Sequence, residues 1–359
     1  MRKTKMLLIN NGYPSEKYPN YTTWVATIEY CLTRAGFDVD LLVIKHHNYY
    51  SNLQKIIKYI TYFFRLATKK MSDYYVVYIN YPTHAIPIFL NRTLNIEKVY
   101  CHWHGFDLIG NGAYTKFARK CMKSRFKRCI HFVPSNHYKE ILINEYGLND
   151  TDVVVSPSGG VNTELFKLPD DMRHKKNKER FVIGYASGLI GNKGVALLYE
   201  IMRKYKYLKD KINKNIEFNI INYSEEAEKY IGLMKNDKLP VNIWAMMEKK
   251  NMVKFYESLD LLIMPSPSES LGLVVLEAMS CNIPVVTFDI CAFPDFVISK
   301  LSGERVKHKK NLSEDVYGFL DAIISVNHYY DSYSPRSIVL EKYSQDTVVE
   351  NYRQIFSRM

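Results

Sequence analysis

Long apolar runs are missing from this 359-residue chain. A membrane-spanning helix needs about 18–20 apolar residues in succession. No stretch approaches that, so a spanning anchor is not expected. The first apolar run, residues 6–9, stops at Asn10-Asn11-Gly12. That is short of the roughly 7–15 residues of a secretory h-region, so Arg2, Lys3 and Lys5 are not read as opening a signal peptide. Cysteine is scarce: six residues (31, 101, 121, 129, 281 and 291) and no Cys-x-x-Cys. Reduced thiols in a cytoplasmic protein are the expectation. Internal repeats and low-complexity tracts are also missing, as are Walker and Gly-x-Gly-x-x-Gly loops. No helix-turn-helix, zinc-finger or RNA-binding signature is present.

What is there is the composition of a folded protein, 47% hydrophobic and 24% charged, which excludes a disordered tail or a collagen-like fibre. The length exceeds what one core usually supports and suits two domains. The net charge is +12. It is uneven, with 21 Lys and Arg against 12 Asp and Glu up to residue 166, and 28 against 25 beyond it. A basic first half favours a polyanionic partner, either nucleic acid or an anionic membrane face. Charge alone does not choose between them.

Short apolar runs alternate with helical patterns. Strands are expected at 5–9, 37–44, 75–79, 98–101, 129–133 and 152–156, and helices at 22–35, 52–70 and 115–127. Residues 167–180 are polar and aperiodic and read as a linker. Strands resume at 181–185, 216–221, 241–244, 261–264 and 284–288. Alternation of this kind implies parallel βαβ units with ligands at the carboxyl ends of the strands. The expected division is a domain over 1–166, the linker, a second domain over 181–345, and a C-terminal helix over 346–359 packing back on the first.

The segment from Leu262 to Val286 reads strand, Pro/Ser-rich loop, helix, turn, strand. Glu269 lies in the loop, and Ser270, Leu271, Gly272 and Leu273 form the mouth of the helix, a ready phosphate site. Glu277 falls eight residues on, about two turns or 10 Å along a helix. Two carboxylates so placed could hold hydroxyls on either side of a bound diphosphate.

Pro265-Ser266, Glu269, Gly272, Glu277-Ala278-Met279 and Pro284-Val285-Val286 together resemble the signature of retaining glycosyltransferases of family 4. The likeness extends along the chain. Tyr13-Pro14 with Pro19-Asn20-Tyr21 resembles the family's acceptor-side loop. Cys101-His-Trp-His-Gly-Phe-Asp107 is similar to its strand ending in His-Gly-x-Asp. Residues 156–166 resemble the segment closing its first domain, with Asn162 where Asp is usual. Residues 188–194 resemble its diphosphate loop, keeping Lys193 but carrying Gly188 where an arginine is usual.

The resemblance implies an α/β protein of the GT-B fold, two Rossmann-like parallel-sheet domains facing a cleft. It implies a nucleotide-sugar donor, with a UDP-sugar the expectation, and a lipid-linked saccharide acceptor. Lys193 and the amides after Ser270 would hold the diphosphate, Glu277 the ribose and Glu269 the transferred sugar. Lysine and carboxylate would stand on opposite sides of the reacting bond. His104 would contact sugar or acceptor, Asp107 would support its loop, and Tyr13, Asn20 and Tyr21 would line the acceptor side. No metal or organic cofactor is implied. A soluble acceptor or an NDP-sugar epimerase is the alternative within this architecture, and a basic nucleic-acid-binding module the alternative of another class.

In the 52–70 helix, Leu53, Ile56, Ile57, Ile60, Phe63, Phe64 and Ala67 share one face. Lys55, Lys58, Tyr62, Arg65 and Lys69 share the other. Such a helix either packs its apolar face on the core or lies in a membrane interface. With Lys116, Arg119, Lys120, Lys123 and Lys127 on a second basic helix, the expectation is a peripheral protein at the inner face of the cell membrane.

Overall fold

In the computed structural model, residues 4–16, 18, 21–45, 52–169, 179–222 and 227–357 are described. The chain begins with β1 (Thr4–Tyr13), α1 (Thr23–Arg34), β2 (Phe37–Lys45), α2 (Asn52–Thr68), β3 (Val76–Asn80), β4 (Val99–His102) and α3 (Phe106–Ile109). It continues with α4 (Ala113–Phe126), β5 (Ile130–Val133), α5 (Asn136–Tyr146) and β6 (Val153–Val155). Then come β7 (Arg180–Tyr185), α6 (Val195–Arg203), α7 (Tyr205–Ile212), β8 (Asn215–Asn222), α8 (Ala227–Asn236), β9 (Val241–Ala245) and α9 (Met252–Glu257). The remainder is β10 (Leu261–Met264), α10 (Leu273–Ser280), β11 (Val285–Phe288), β12 (Gly303–Val306), α11 (Leu312–His328), α12 (Pro335–Ile338) and α13 (Gln345–Ser357).

Two compact units result. One comprises residues 1–160 with 345–359, the other residues 161–344. The division falls before the expected 166. Val161 donates its N–H to Tyr343 O at 2.8 Å, and Phe166 is buried against Tyr256 in the second unit's core. In the first unit α13 is tied down by Arg34 and Asp346 at 2.6 Å and by the Tyr78 and Tyr352 hydroxyls at 3.2 Å. Most of the expected linker, residues 170–178, lies outside the described residues.

The first unit's sheet has the order β2-β1-β3-β4-β5-β6, all parallel. Its central strands are buried on both faces, as parallel sheets require. Met6 and Leu8 point to a core with α1 and α13, Leu7 and Ile9 to one with α2 and α5. Each such side chain contributes about 1.5–3 kcal/mol on burial. β1 overruns the expected turn at Asn10-Asn11-Gly12, with a register irregularity between Asn10 and Tyr13. The buried Asn10 amide donates to Gly12 O there, so the bulge supplies its own hydrogen bond.

The second unit's sheet has the order β12-β11-β10-β7-β8-β9, also parallel. Strand order reverses at the β7/β10 pair, which places the loops after these two strands side by side. β12 was not expected. Gly303-Glu-Arg-Val306 is short and half charged, a composition that a sheet edge tolerates.

Candidate active site

The loop after β7 and the loop after β10 are locked together. Gly194 has φ +78°, and a Cβ there would meet Pro265 O at 2.0 Å, so only glycine allows the approach. Ser266 Oγ contacts Asn192 O at 3.3 Å and donates to Ser268 O at 2.9 Å. Tyr185 OH reaches Gly188 O at 2.8 Å and Lys193 O at 3.1 Å from beneath. This lock sets Lys193 Nζ 2.6 Å from Glu269 Oε1. The joined loops make lysine and carboxylate a direct ion pair. Both side chains are mostly buried, at 29% and 12% exposure, so the pair is shielded from water more than a surface bridge is.

α10 begins at Leu273 after Gly272, whose φ of +77° and contact with the Phe293 ring exclude a side chain. Val275 N–H donates to Gly272 O at 2.9 Å. The amides of the first turn carry the positive end of the helix dipole, where an anion is stabilised. Leu271 is buried under the loop. Because the helix starts this late, Glu277 stands just over one turn inside it, not two turns from the mouth.

The Glu277 carboxylate is buried, and each of its oxygens has one partner. Tyr256 OH donates to Oε2 at 3.0 Å, and Lys249 Nζ lies 3.4 Å from Oε1. Burial raises its pKa, and Lys249 and Tyr256 pull it back down. Neither partner was singled out in the sequence. Lys249 sits in a Glu-Lys-Lys-Asn run without a motif, and only the fold brings it to Glu277.

In the first unit, His104 follows β4 and is buried in an aromatic stack. Trp24, His102 and Tyr81 lie 4.0, 4.3 and 5.0 Å away between ring centres. Its Nε2 is 3.0 Å from Asn80 Oδ1 and carries its proton there. Burial and neighbouring His102 hold its pKa well below the ordinary value. The imidazole is neutral and serves as a hydrogen-bonding group, not a cation. Asp107 Oδ1 accepts the His104 N–H at 2.9 Å. Burial pushes the Asp107 carboxyl up to about 7, against the pull of backbone N–H groups and Arg119. Its Oδ2 and the Asn80 amide nitrogen are buried without a partner among the described residues. Asn80, at the end of β3, is a residue that sequence reasoning missed.

His102 is paired with Tyr78 OH at 2.8 Å and Ser158 Oγ at 3.4 Å. Asp40 accepts from Tyr74 OH at 2.7 Å. Among the described residues, no three His, Cys, Asp or Glu gather as metal ligands. Tyr13 hydrogen-bonds Glu29 of α1, and Tyr21 leans over Gly12. Asn20 lies outside the described residues.

α2 does not dock by the whole face expected for a core helix; of that face Phe63 reaches the core, beside Tyr59, Tyr62 and Leu66. Tyr62 and Leu66 are buried, and the assignment of Tyr62 to the polar face is corrected: it is a core residue, because α2 packs along its Tyr59–Tyr62–Phe63–Leu66 side. Leu53, Ile56, Ile57, Ile60 and Phe64 are left 53–67% exposed. Lys55 and Arg65 are exposed, and Lys58 and Lys69 half-buried, with Lys69 Nζ 5.2 Å over the Tyr74 ring. On α4, Lys116, Lys120 and Lys123 are exposed, as is Lys127 just beyond its end. Arg119 is not part of that face: it turns inward to the carbonyls of Leu108 and Gly110. No described helix is long and apolar enough to cross a membrane.

Residues 168–323 match the family model described as Glycosyl transferases group 1. The matched stretch lies wholly within the second unit. Over 180 residues the chain is 24% identical to the capsular polysaccharide biosynthesis glycosyltransferase CapM of Staphylococcus aureus, covering 48% of this chain and 43% of that protein. The chain spans about half the length of the first curated relatives it matches. Among solved structures, sucrose-phosphate synthase from Thermosynechococcus elongatus aligns with a TM-score of 0.75 at 16% identity, covering 99% of this chain and all of that one. Anabaena HepE, solved in complex with UDP and glucose, aligns with a TM-score of 0.71 at 15% identity, again over 99% and 100%. The fold is therefore GT-B, as the resemblance implied, and the ion pair and Glu277 lie within the residues that the family model matches.

Proposed function

We propose that this chain is a retaining glycosyltransferase of family 4, moving a hexosyl group from a UDP-sugar onto a lipid-linked saccharide. The observation that carries the reading is the cluster at the β7/β10 switch point. There Lys193 and Glu269 are paired from loops that a glycine contact holds in register, and the helix α10 that follows brings its N-terminus and Glu277. Lys193 and the α10 amides suit a diphosphate, and Glu277 suits the two hydroxyls of a ribose. That leaves Glu269 for the sugar, whose reacting carbon gains positive charge as the diphosphate departs. His104, held neutral, would contact sugar or acceptor through hydrogen bonds, with Asp107 and Arg119 fixing its loop and Tyr13 and Tyr21 beside the acceptor. The proposal uses no metal and no organic cofactor.

CapM's part in capsular polysaccharide synthesis and HepE's complex with UDP and glucose support the choice of donor and of a saccharide acceptor. The lipid link rests on the first unit. Its basic excess and the exposed apolar stripe of α2, flanked by Lys55, Lys58, Arg65 and Lys69, suit an anionic membrane interface. The protein would work peripherally, at the cytoplasmic face.

A donor panel tests the reading. UDP-, GDP- and dTDP-sugars are mixed with the protein, and thermal shift and nucleotide release are measured. Stabilisation by UDP-sugars above the others is expected. No shift with any nucleotide would refute the function.

A further inference from the structure

Glu277 is held at both oxygens by groups from outside its own helix. Tyr256, on α9, donates to Oε2 at 3.0 Å. Lys249, in the short turn before α9, reaches Oε1 at 3.4 Å. Each carboxylate oxygen has two lone pairs, so one on each remains for a ligand. Lys249 is itself supported, its ammonium lying 5.7 Å over the ring of Phe166. Phe166 is fully buried, and its carbonyl accepts from Ser280 Oγ at 2.6 Å and from Arg336 at 2.9 Å. The lysine side chain is 39% exposed, against 9% for the glutamate. It approaches the carboxylate from the wet side, where a ligand must also enter.

We propose that Lys249 is a positioning residue of the nucleotide site: with Tyr256 it fixes both oxygens of Glu277, so that the remaining lone pairs receive the two adjacent hydroxyls of a ribose. The assignment rests on the reading of Glu277 as the ribose acceptor. A free carboxylate on an α10 side chain would rotate about its terminal torsion, which is broad and weakly defined. Two fixed partners remove that freedom before the ligand arrives, which is how preorganisation raises affinity. The charge state follows the same contacts. Burial favours the protonated acid, and Lys249 opposes it. A protonated Glu277 would lose one acceptor position and the charge that strengthens both hydrogen bonds.

The test is isothermal titration of the full chain with UDP and with 2′,3′-dideoxy-UDP, which lacks the diol, at several pH values. Wild type should prefer UDP. Lys249→Met should lose about tenfold or more in UDP affinity, the scale of one charged hydrogen bond. It should hold dideoxy-UDP within about twofold. Its UDP affinity should also fall as pH is lowered, at a pH where wild type is still flat. Lys249→Arg should recover most of the preference. Tyr256→Phe should weaken it without the pH dependence that loss of the cation brings, and unfolding midpoints establish that each variant is folded. Two outcomes overturn the proposal. One is Lys249→Met discriminating the two ligands as wild type does; the other is a loss of both ligands in parallel. If wild type itself binds UDP and dideoxy-UDP alike, the ribose role of Glu277 fails first, and the role of Lys249 with it.

Discussion

Lys193 Nζ and Glu269 Oε1 are 2.6 Å apart, so the lysine of the loop after β7 is already neutralised by the carboxylate of the loop after β10. On the proposed reading, a diphosphate would compete with that carboxylate for the three donors of the ammonium. The competition would loosen Glu269 toward the sugar, and the locked loops around Gly194 and Pro265 keep both groups within reach.

Lys193→Ala should weaken UDP binding ten- to more than hundredfold, since a hydrogen bond to a charged group is worth about 1.5–3 kcal/mol. Titration calorimetry reads this directly. With Gly188 in place of a guanidinium, no second cation in that loop takes over. Unchanged affinity would place the diphosphate elsewhere.

Glu277→Gln should also weaken UDP binding, by about tenfold, because a neutral amide offers one acceptor where the carboxylate offers two. The loss should be much smaller for inorganic pyrophosphate, which has no ribose. Equal losses for both ligands would contradict the assignment.

Asp107 makes stability depend on pH. Its carboxyl is raised by burial to about 7 in the folded state, against about 3.9 when unfolded. The folded state therefore holds a proton that the unfolded chain has released. The contribution is complete below about pH 4 and lost as pH rises through about 7. Asp107→Asn keeps the oxygen that accepts the His104 N–H and cannot ionise. At pH 8 its unfolding midpoint should exceed that of wild type by roughly 2–4 °C, the scale of 1 kcal/mol in a unit of this size. Identical pH profiles would show that Asp107 stays ionised in the fold.

Binding to anionic vesicles should have two separable parts. Neutralising Lys55, Lys58, Arg65 and Lys69 should remove the part that fades with salt, about 1 kcal/mol for each cation near the surface. The Debye length falls from about 10 Å at 0.1 M to about 3 Å at 1 M. Replacing Leu53, Ile57, Ile60 and Phe64 by serine should remove a part that persists at 1 M salt, because apolar burial is not screened. Flotation of both variants on vesicles separates the two, and binding that vanishes wholly in salt would exclude insertion of the stripe.

Most strands were legible because they are short apolar runs, the central ones buried on both faces. Residues 6–9 and 261–264 read as strands from composition alone. β12 was not, since Glu304 and Arg305 disguise an edge strand. The pattern in α2 established two faces but not which one docks. Amphipathicity carries no sign, and the ring of Tyr62 went to the core although its hydroxyl suggested the surface. In the second unit the motif residues Lys193, Glu269, Gly272 and Glu277 were each visible. Their contacts were not, because Lys193 meets Glu269 and Lys249 meets Glu277 only through the order of the sheet.

The most direct test of the account is one titration series: UDP into wild type and Glu269→Gln, with turnover of the UDP-sugar measured alongside. On the proposed reading Glu269 would compete with the diphosphate for Lys193, and the ion pair is worth about 1 kcal/mol. Glu269→Gln should therefore bind UDP about fivefold more tightly than wild type while its turnover falls. UDP affinity that drops in Glu269→Gln, or stays the same with turnover intact, would contradict it.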